Sequence, residues 1–262
     1  MQSKLLIASA LVLGSIAAAN AADLPTEKGP PVYAPPPPPV FSWTGVYIGG
    51  QVGYQWGRSS DPYAYDLATG ADLGTFPLSH SDAGVVGGAH AGYNYQINMF
   101  VIGVEGDVDG SNYFGSARDV IPNSPYSYYE STRIPVEGSV RGRVGLALDR
   151  FLIYGTGGAE FGLVDSAFGF IDSTGGLTAF AHGSNTRVGW TAGGGVEYAI
   201  DNNWSVRAEY RYIDLGRVNY SIDPVIPGDG WSKRITKNQV TAGFSYKFGD
   251  VPPPAPPVVA KY

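Results

Sequence analysis

The stretch "EGSVRGRVGLAL" (137–148) separates into two lists when every second residue is read. Val140, Gly142, Val144, Leu146 and Leu148 form one; Glu137, Ser139, Arg141, Arg143, Gly145 and Ala147 form the other. A repeat of two is the mark of a β-strand, whose side chains point alternately to opposite faces. Hydrocarbon on one face and full charges on the other is a severe restriction: one face must meet an apolar medium, the other a place where charges find partners. The alternation recurs over 44–56, 85–97, 100–108, 151–164, 187–200, 204–213 and 239–248, which makes eight segments.

The connections alternate as well. Asn98-Met99, Asp149-Arg150 and Asp201-Asn202-Asn203 are tight hairpin turns, whereas 57–84, 109–135, 165–186 and 214–238 are long. This pattern predicts an all-β fold: an eight-stranded antiparallel up-and-down transmembrane β-barrel with short periplasmic turns, four long extracellular loops and both termini periplasmic. A soluble sandwich or lipocalin-like barrel is the rival, and it would turn the apolar residues inward. The charges of the polar list and the placement of the aromatics favour the membrane. Tyr95, Phe100, Phe151, Tyr198, Trp204, Tyr246 and Phe248 lie near the short turns. Tyr54, Trp56, Phe161, Trp190, Tyr210 and Tyr212 lie toward the long loops, so two lipid-interface girdles are expected. Ten residues at ~3.3 Å each, tilted by ~40°, cover ~25 Å, the height of an outer-membrane apolar band.

The flanks read differently. Lys4, the apolar run "LLIASALVLGSIAA" and Ala19-Asn20-Ala21 form a secretory signal peptide over 1–21. Proline-rich segments follow at 22–40 and 250–262, expected to be extended spacers around a barrel over 41–249. No later stretch is long and apolar enough for a transmembrane helix. The absence of cysteine excludes disulfides and thiolate chemistry, and an acidic net charge of −6 argues against a nucleic-acid partner.

Eight strands enclose only enough room for side chains to fill the interior. The inward charges are expected to be Glu105, Asp107, Glu137, Glu160, Glu197 and Glu209 against Arg141, Arg143, Arg187, Arg207, Arg211 and Lys247. Buried charges persist when paired, so a charge-filled lumen is expected rather than an open pore, with a narrow ion path as the alternative.

"FSWTGVYIGGQVGYQWG" (41–57), "WTAGGGVEYAIDNNWSVRAEYRYIDLG" (190–216) and "VTAGFSYKFG" (240–249) resemble the first, sixth-to-seventh and last strands of the small alphaproteobacterial outer-membrane proteins. These are OmpA-like eight-stranded barrels of the "porin family" type, including surface antigens and haem-binding members. The resemblance covers about 41–249. It implies an outer-membrane location, a non-enzymatic envelope role and display of surface loops. Its implied partners are outer-membrane lipid, lipopolysaccharide and the barrel-assembly machinery, with host or cell-wall contacts through loops and tails. Family members commonly end on the aromatic of the last strand; here Phe248 is followed by the proline-rich tail.

Other chemistry is weaker. "GTGGAEFG" (155–162) lacks the following helix that a phosphate loop needs, so its glycines are read as packing positions. His182, Ser184 and Glu197 would serve a lipid A esterase or acyltransferase only if a base reached the serine, and the strand assignment separates them. His80 and His182 are candidate haem ligands, although exposed histidines are usually plain surface residues. Tyrosines of "NSPYSYYEST" (123–132), together with Trp231, Lys233 and Arg234, are expected to decorate recognition loops. The expectation is no cofactor, no metal and no catalytic site.

Overall fold

A computed structural model describes residues 41–249 apart from 122, 223, 224 and 226. The expected signal peptide over 1–21, the expected linker over 22–40 and the tail from 250 lie outside the described residues. The chain forms β1 (Gly45–Ser59), β2 (Tyr63–Asp66), β3 (Asp72–Thr75), β4 (His80–Ile97), β5 (Phe100–Val120), β6 (Ser127–Leu148), β7 (Phe151–Ile171), β8 (Leu177–Ala199), β9 (Trp204–Ser221) and β10 (Asp229–Phe248). Strands β1 and β4 to β10 are antiparallel neighbours, and β1 pairs with β10 from Val46↔Phe248 to Ser59↔Ile235. The result is a closed barrel of eight strands. The hairpin β2–β3 continues the sheet where β1 ends, laying β2 along β10 from Tyr63↔Ser232 to Asp66↔Asp229.

The short turns follow from local chemistry. Asn98 and Asp149 adopt φ 54° and 56°, a left-handed region that Asn and Asp tolerate, and Ile97↔Phe100 and Leu148↔Phe151 close the pairs beside them. Asp201 accepts hydrogen bonds from the backbone N–H of Trp204 (2.7 Å) and Asn203 (2.8 Å). Those two donors hold its carboxyl below the ordinary aspartate range.

The other end departs from expectation. The four stretches read as long loops are mostly strand: β5 runs on to Val120, β7 to Ile171 and β9 to Ser221, while β6, β8 and β10 begin early. Strands of about 20 residues, tilted by ~40°, span ~50 Å, roughly twice an apolar band. Only 121–126, 172–176 and 222–228, with the segment around β2 and β3, remain as connections. The strands hid because their polarity inverts there. Within the band many inward side chains are charged; beyond it apolar ones, Tyr113, Ile134, Val164, Phe168, Ile213, Trp231 and Ile235, are buried beside a small polar set that includes Asp82, Glu130 and Lys233. Two register shifts add a change of phase. One lies between Arg133 and Glu137, around Pro135, which cannot donate to a ladder. The other opposes Leu215 and Gly216 to the single residue Ile235, with Gly216 at φ +70°. Trp231 therefore does not decorate a loop: it is fully buried, 4.3 Å from the ring of Phe168 and 4.8 Å from that of Phe76. Tyr128 likewise packs on Phe76 and Phe168 rather than forming a loop surface.

A second apolar layer closes the short-turn end, where Trp43 is buried with Val101, Ala147, Leu152, Tyr154 and Ala199. Its backbone N–H donates to Gln96 Oε1 (2.8 Å), and Phe41 packs edge-on against it. Trp231→Ala is expected to cost about 3–5 kcal/mol, since it empties the centre of the upper layer. A urea midpoint by tryptophan fluorescence reads the loss, and the outward variant Val144→Ala should move it far less; equal shifts would mean the upper layer is not a packed core.

Candidate functional site

The lumen between the two apolar layers is where the sequence concentrates its chemistry. Residues alternate inward along each strand, so Glu105, Asp107 and Asp109 line β5, Glu137, Ser139, Arg141 and Arg143 line β6, and Arg207, Glu209 and Arg211 line β9; all are buried. Arg141 reaches across the barrel. Its Nη2 donates to Glu105 Oε1 (2.5 Å) and Asp107 Oδ2 (3.0 Å), and its Nη1 to Glu209 Oε1 (2.6 Å). Arg207 donates to Glu105 Oε2 (2.6 Å) and Gln51 Oε1 (2.7 Å). Arg143 donates to Glu197 Oε2 (2.9 Å) and to the Tyr47 hydroxyl (3.0 Å), with its guanidinium 4.0 Å from the centre of the Tyr154 ring. Arg211 donates to Asp107 Oδ2 (3.2 Å), and Glu160 lies 3.9 Å from it.

Neutral donors add to the set. Tyr47 and Tyr154 hydroxyls donate to Glu105 and Glu209, each at 2.7 Å, and Ser205 donates to Glu197 at 2.6 Å. Gln51 donates to both oxygens of Asp109 at 2.9 Å. Room for Arg211 comes from Gly193 on β8: a Cβ there would stand 2.1 Å from the Tyr210 carbonyl oxygen and 2.9 Å from the Arg211 Cα.

Ten of the twelve expected lumen charges lie in this layer: Glu105, Asp107, Glu137, Arg141, Arg143, Glu160, Glu197, Arg207, Glu209 and Arg211. Two do not. Arg187 is half-buried higher on β8 and donates to the Asn219 carbonyl (3.0 Å), bridging a stretch where β8 and β9 are not paired. Lys247 sits at the short-turn mouth, its Nζ 4.6 Å from the Phe41 ring centre and donating to the Ser42 carbonyl. Two charged members were missed. Asp109 keeps the parity of Glu105 and Asp107, and Lys237, paired with Glu137, keeps that of Gln239; both stand just past the assumed strand ends. The layer thus sets Glu105, Asp107, Asp109, Glu137, Glu160, Glu197 and Glu209 against Arg141, Arg143, Arg207, Arg211 and Lys237. Lys233 is no loop residue either: it is buried near the upper layer, donating to Glu130 Oε1 (2.5 Å) and Thr132 Oγ1 (2.5 Å).

Outside, Tyr54, Trp56, Tyr95, Phe100, Phe151, Phe161, Trp190, Tyr198, Trp204, Tyr210 and Phe248 are exposed, with Tyr212 and Tyr246 half-exposed. The catalytic candidates are not brought together. His182 and Ser184 are exposed on β8, whereas Glu197 is buried and held by Arg143 and Ser205. The haem candidates are also apart in character: His80 is buried with its Nε2 3.0 Å from Asp82 Oδ1, and His182 is exposed. "GTGGAEFG" lies wholly within β7.

Known proteins match this chain along nearly its whole length. The family model described as an outer membrane protein beta-barrel domain matches residues 8–248. The 31 kDa outer-membrane immunogenic protein of Brucella melitensis is 37% identical over 91% of this chain and 99% of its own length. The 22 kDa outer membrane protein of Rhizobium leguminosarum bv. viciae is 32% identical, covering 81% of this chain and 82% of its own. Among solved structures, the outer-membrane protein OprG of Pseudomonas aeruginosa superposes with a TM-score of 0.53 at 13% identity, over 79% of this chain and 97% of that one, a likeness of fold. With its ring of eight strands, outward hydrocarbon and these matches, the chain belongs to the outer-membrane β-barrel family.

Proposed function

We propose that this protein is a closed, non-catalytic barrel that braces the outer membrane and presents its long-strand end at the cell surface. In this reading an N-terminal signal peptide directs export, and the short turns and both termini face the periplasm. The observation that carries it is the filled lumen: a layer of paired charges lies between two apolar layers, so an ion entering from either end meets a low-dielectric barrier. That relatives from Brucella are immunogenic outer-membrane proteins supports surface display. The separation of His182 and Ser184 from Glu197 supports a non-enzymatic role.

Purified protein in a planar bilayer should show no steady conductance; a reproducible open level would establish the narrow-pore alternative instead. Arg141→Leu leaves Glu105, Asp107 and Glu209 without their shared donor, and breaking such a buried set costs about 3–5 kcal/mol. The urea midpoint should fall accordingly, and a variant as stable as its parent would mean the layer is loosely solvated. Ser184→Ala should leave the acyl pattern of lipid A unchanged by mass spectrometry; an altered pattern would restore the enzyme reading.

A further inference from the structure

We propose that the outer wall of β9, β10 and β1 binds the anionic headgroup of a phosphorylated glycolipid of the outer leaflet through Arg58, Arg217 and Arg234. The site rests on the proposed orientation, with the long-strand end outward, but not on a sealed lumen. Arg58 continues the outward row of β1 immediately after Tyr54 and Trp56, whose rings are stacked 6.3 Å apart. Aromatics at this position mark the membrane interface, so a charge one step beyond stands at headgroup level. Arg234 is opposed on β9 by Arg217, and the Ser60 N–H donates to the Arg234 carbonyl (3.0 Å), placing Arg58 diagonally beside it. Like charges directly opposed across strands repel unless an anion lies between them.

The protein supplies only part of that anion. Asp214 pairs with Arg234, whose side chain remains 57% exposed. Arg58 reaches the Ser79 hydroxyl (3.3 Å) and Arg217 lies 5.3 Å over the Tyr63 ring centre. Neither has a carboxylate within ion-pair distance among the described residues. A groove of about 270 Å³ opens between Arg58 and Arg234, lined also by Ser60, Asp61, Ser79 and Thr236. Asp61 is engaged there by the Ser79 N–H (2.8 Å). Guanidinium forks and hydroxyl donors together suit phosphate oxygens. The site stands directly past an outward apolar row that ends Val52, Tyr54, Trp56. That adjacency favours an anion carrying acyl chains over a free one. The exposed Arg133 elsewhere on the wall differs: it is opposed across the strands by Asp165.

The test is binding of purified, folded protein to three probes: phosphorylated lipopolysaccharide, the same material chemically dephosphorylated, and inorganic phosphate. Arg58→Gln/Arg217→Gln spares the Arg234–Asp214 pair and should weaken the phosphorylated glycolipid about tenfold to thirtyfold, as expected for two interfacial arginines. Arg133→Gln should stay near wild type, Arg58→Lys/Arg217→Lys should fall between wild type and the Gln double variant because it keeps the charge and loses the fork, and dephosphorylation should reproduce the loss. Unchanged binding by the Gln double variant, an equal loss in Arg133→Gln, or inorganic phosphate binding as tightly as the glycolipid would each overturn the site. Should the Gln variant not fold, wild-type affinity must still fall with ionic strength, and salt-independent binding would overturn the proposal. Orientation is read separately by labelling Leu67→Cys on whole cells with an impermeant maleimide, the native chain having no cysteine. Failure of that label would fault the orientation and with it the outer-leaflet assignment, even where the purified protein still bound the glycolipid through its arginines.

Discussion

The backbone amide of a strand immersed in hydrocarbon has one source of partners, the neighbouring strand. That constraint forces the ring to close, and the pairing of β1 with β10 closes it. Closure at eight strands then fixes the interior as narrow. A narrow interior lined by every second residue holds side chains close enough to touch across it, which is how Arg141 on β6 meets Glu209 on β9. The charge layer is therefore a consequence of the strand number as much as of the residues.

The layer is not a simple stabilising device. Desolvating so many ions is costly, and a well-packed apolar filling of the same volume is often equal or better. What ions add is geometric demand. The carboxylate of Glu105 is met by Arg141, Arg207 and the Tyr47 hydroxyl, drawn from three strands, and each donor has a direction. A strand slipped by one residue would turn Arg141 and Arg143 into lipid and Val140 and Val144 into the lumen. The apolar layers at both ends exclude water and strengthen each pairing between them.

Much of this was legible in the sequence, and the boundary of legibility is physical. The strands were readable wherever hydrocarbon faced lipid and charge faced inward, and the short-turn ends fell within about one residue because Asn98, Asp149 and Asp201 are turn formers. Beyond the band both faces change character: apolar side chains such as Ile134, Phe168 and Trp231 enter the interior, charges such as Arg58, Arg133 and Arg217 enter the exterior, and the shifts at Pro135 and Gly216 displace the phase. A rule written for one solvent stops working when the solvent changes. Trp231 was lost to that change, whereas Asp109, Lys233 and Lys237 keep the inward parity of their strands and were lost because those strands run past the ends assigned to them. Trp43 was hidden for another reason: it precedes the first strand and folds into the mouth, a tertiary event no alternation records.

The same inversion separates the arginines by role. Arg141, Arg143, Arg207 and Arg211 hold inward positions within the band and meet carboxylates at every turn. Arg58 and Arg217 hold outward positions past the band's edge, where water and headgroups are the available partners and no lumen residue can reach them. Arg234 stands between these cases, its guanidinium shared between Asp214 and solvent. The wall around them is a paired one, since β9, β10, β1 and β2 hold together there, as β5 to β8 do on another side, while β8 and β9 part above Trp190↔Asp214. A headgroup site needs donors held at fixed spacing, and fixed spacing requires a paired sheet beneath them. The arginine cluster stands on such a paired stretch of sheet.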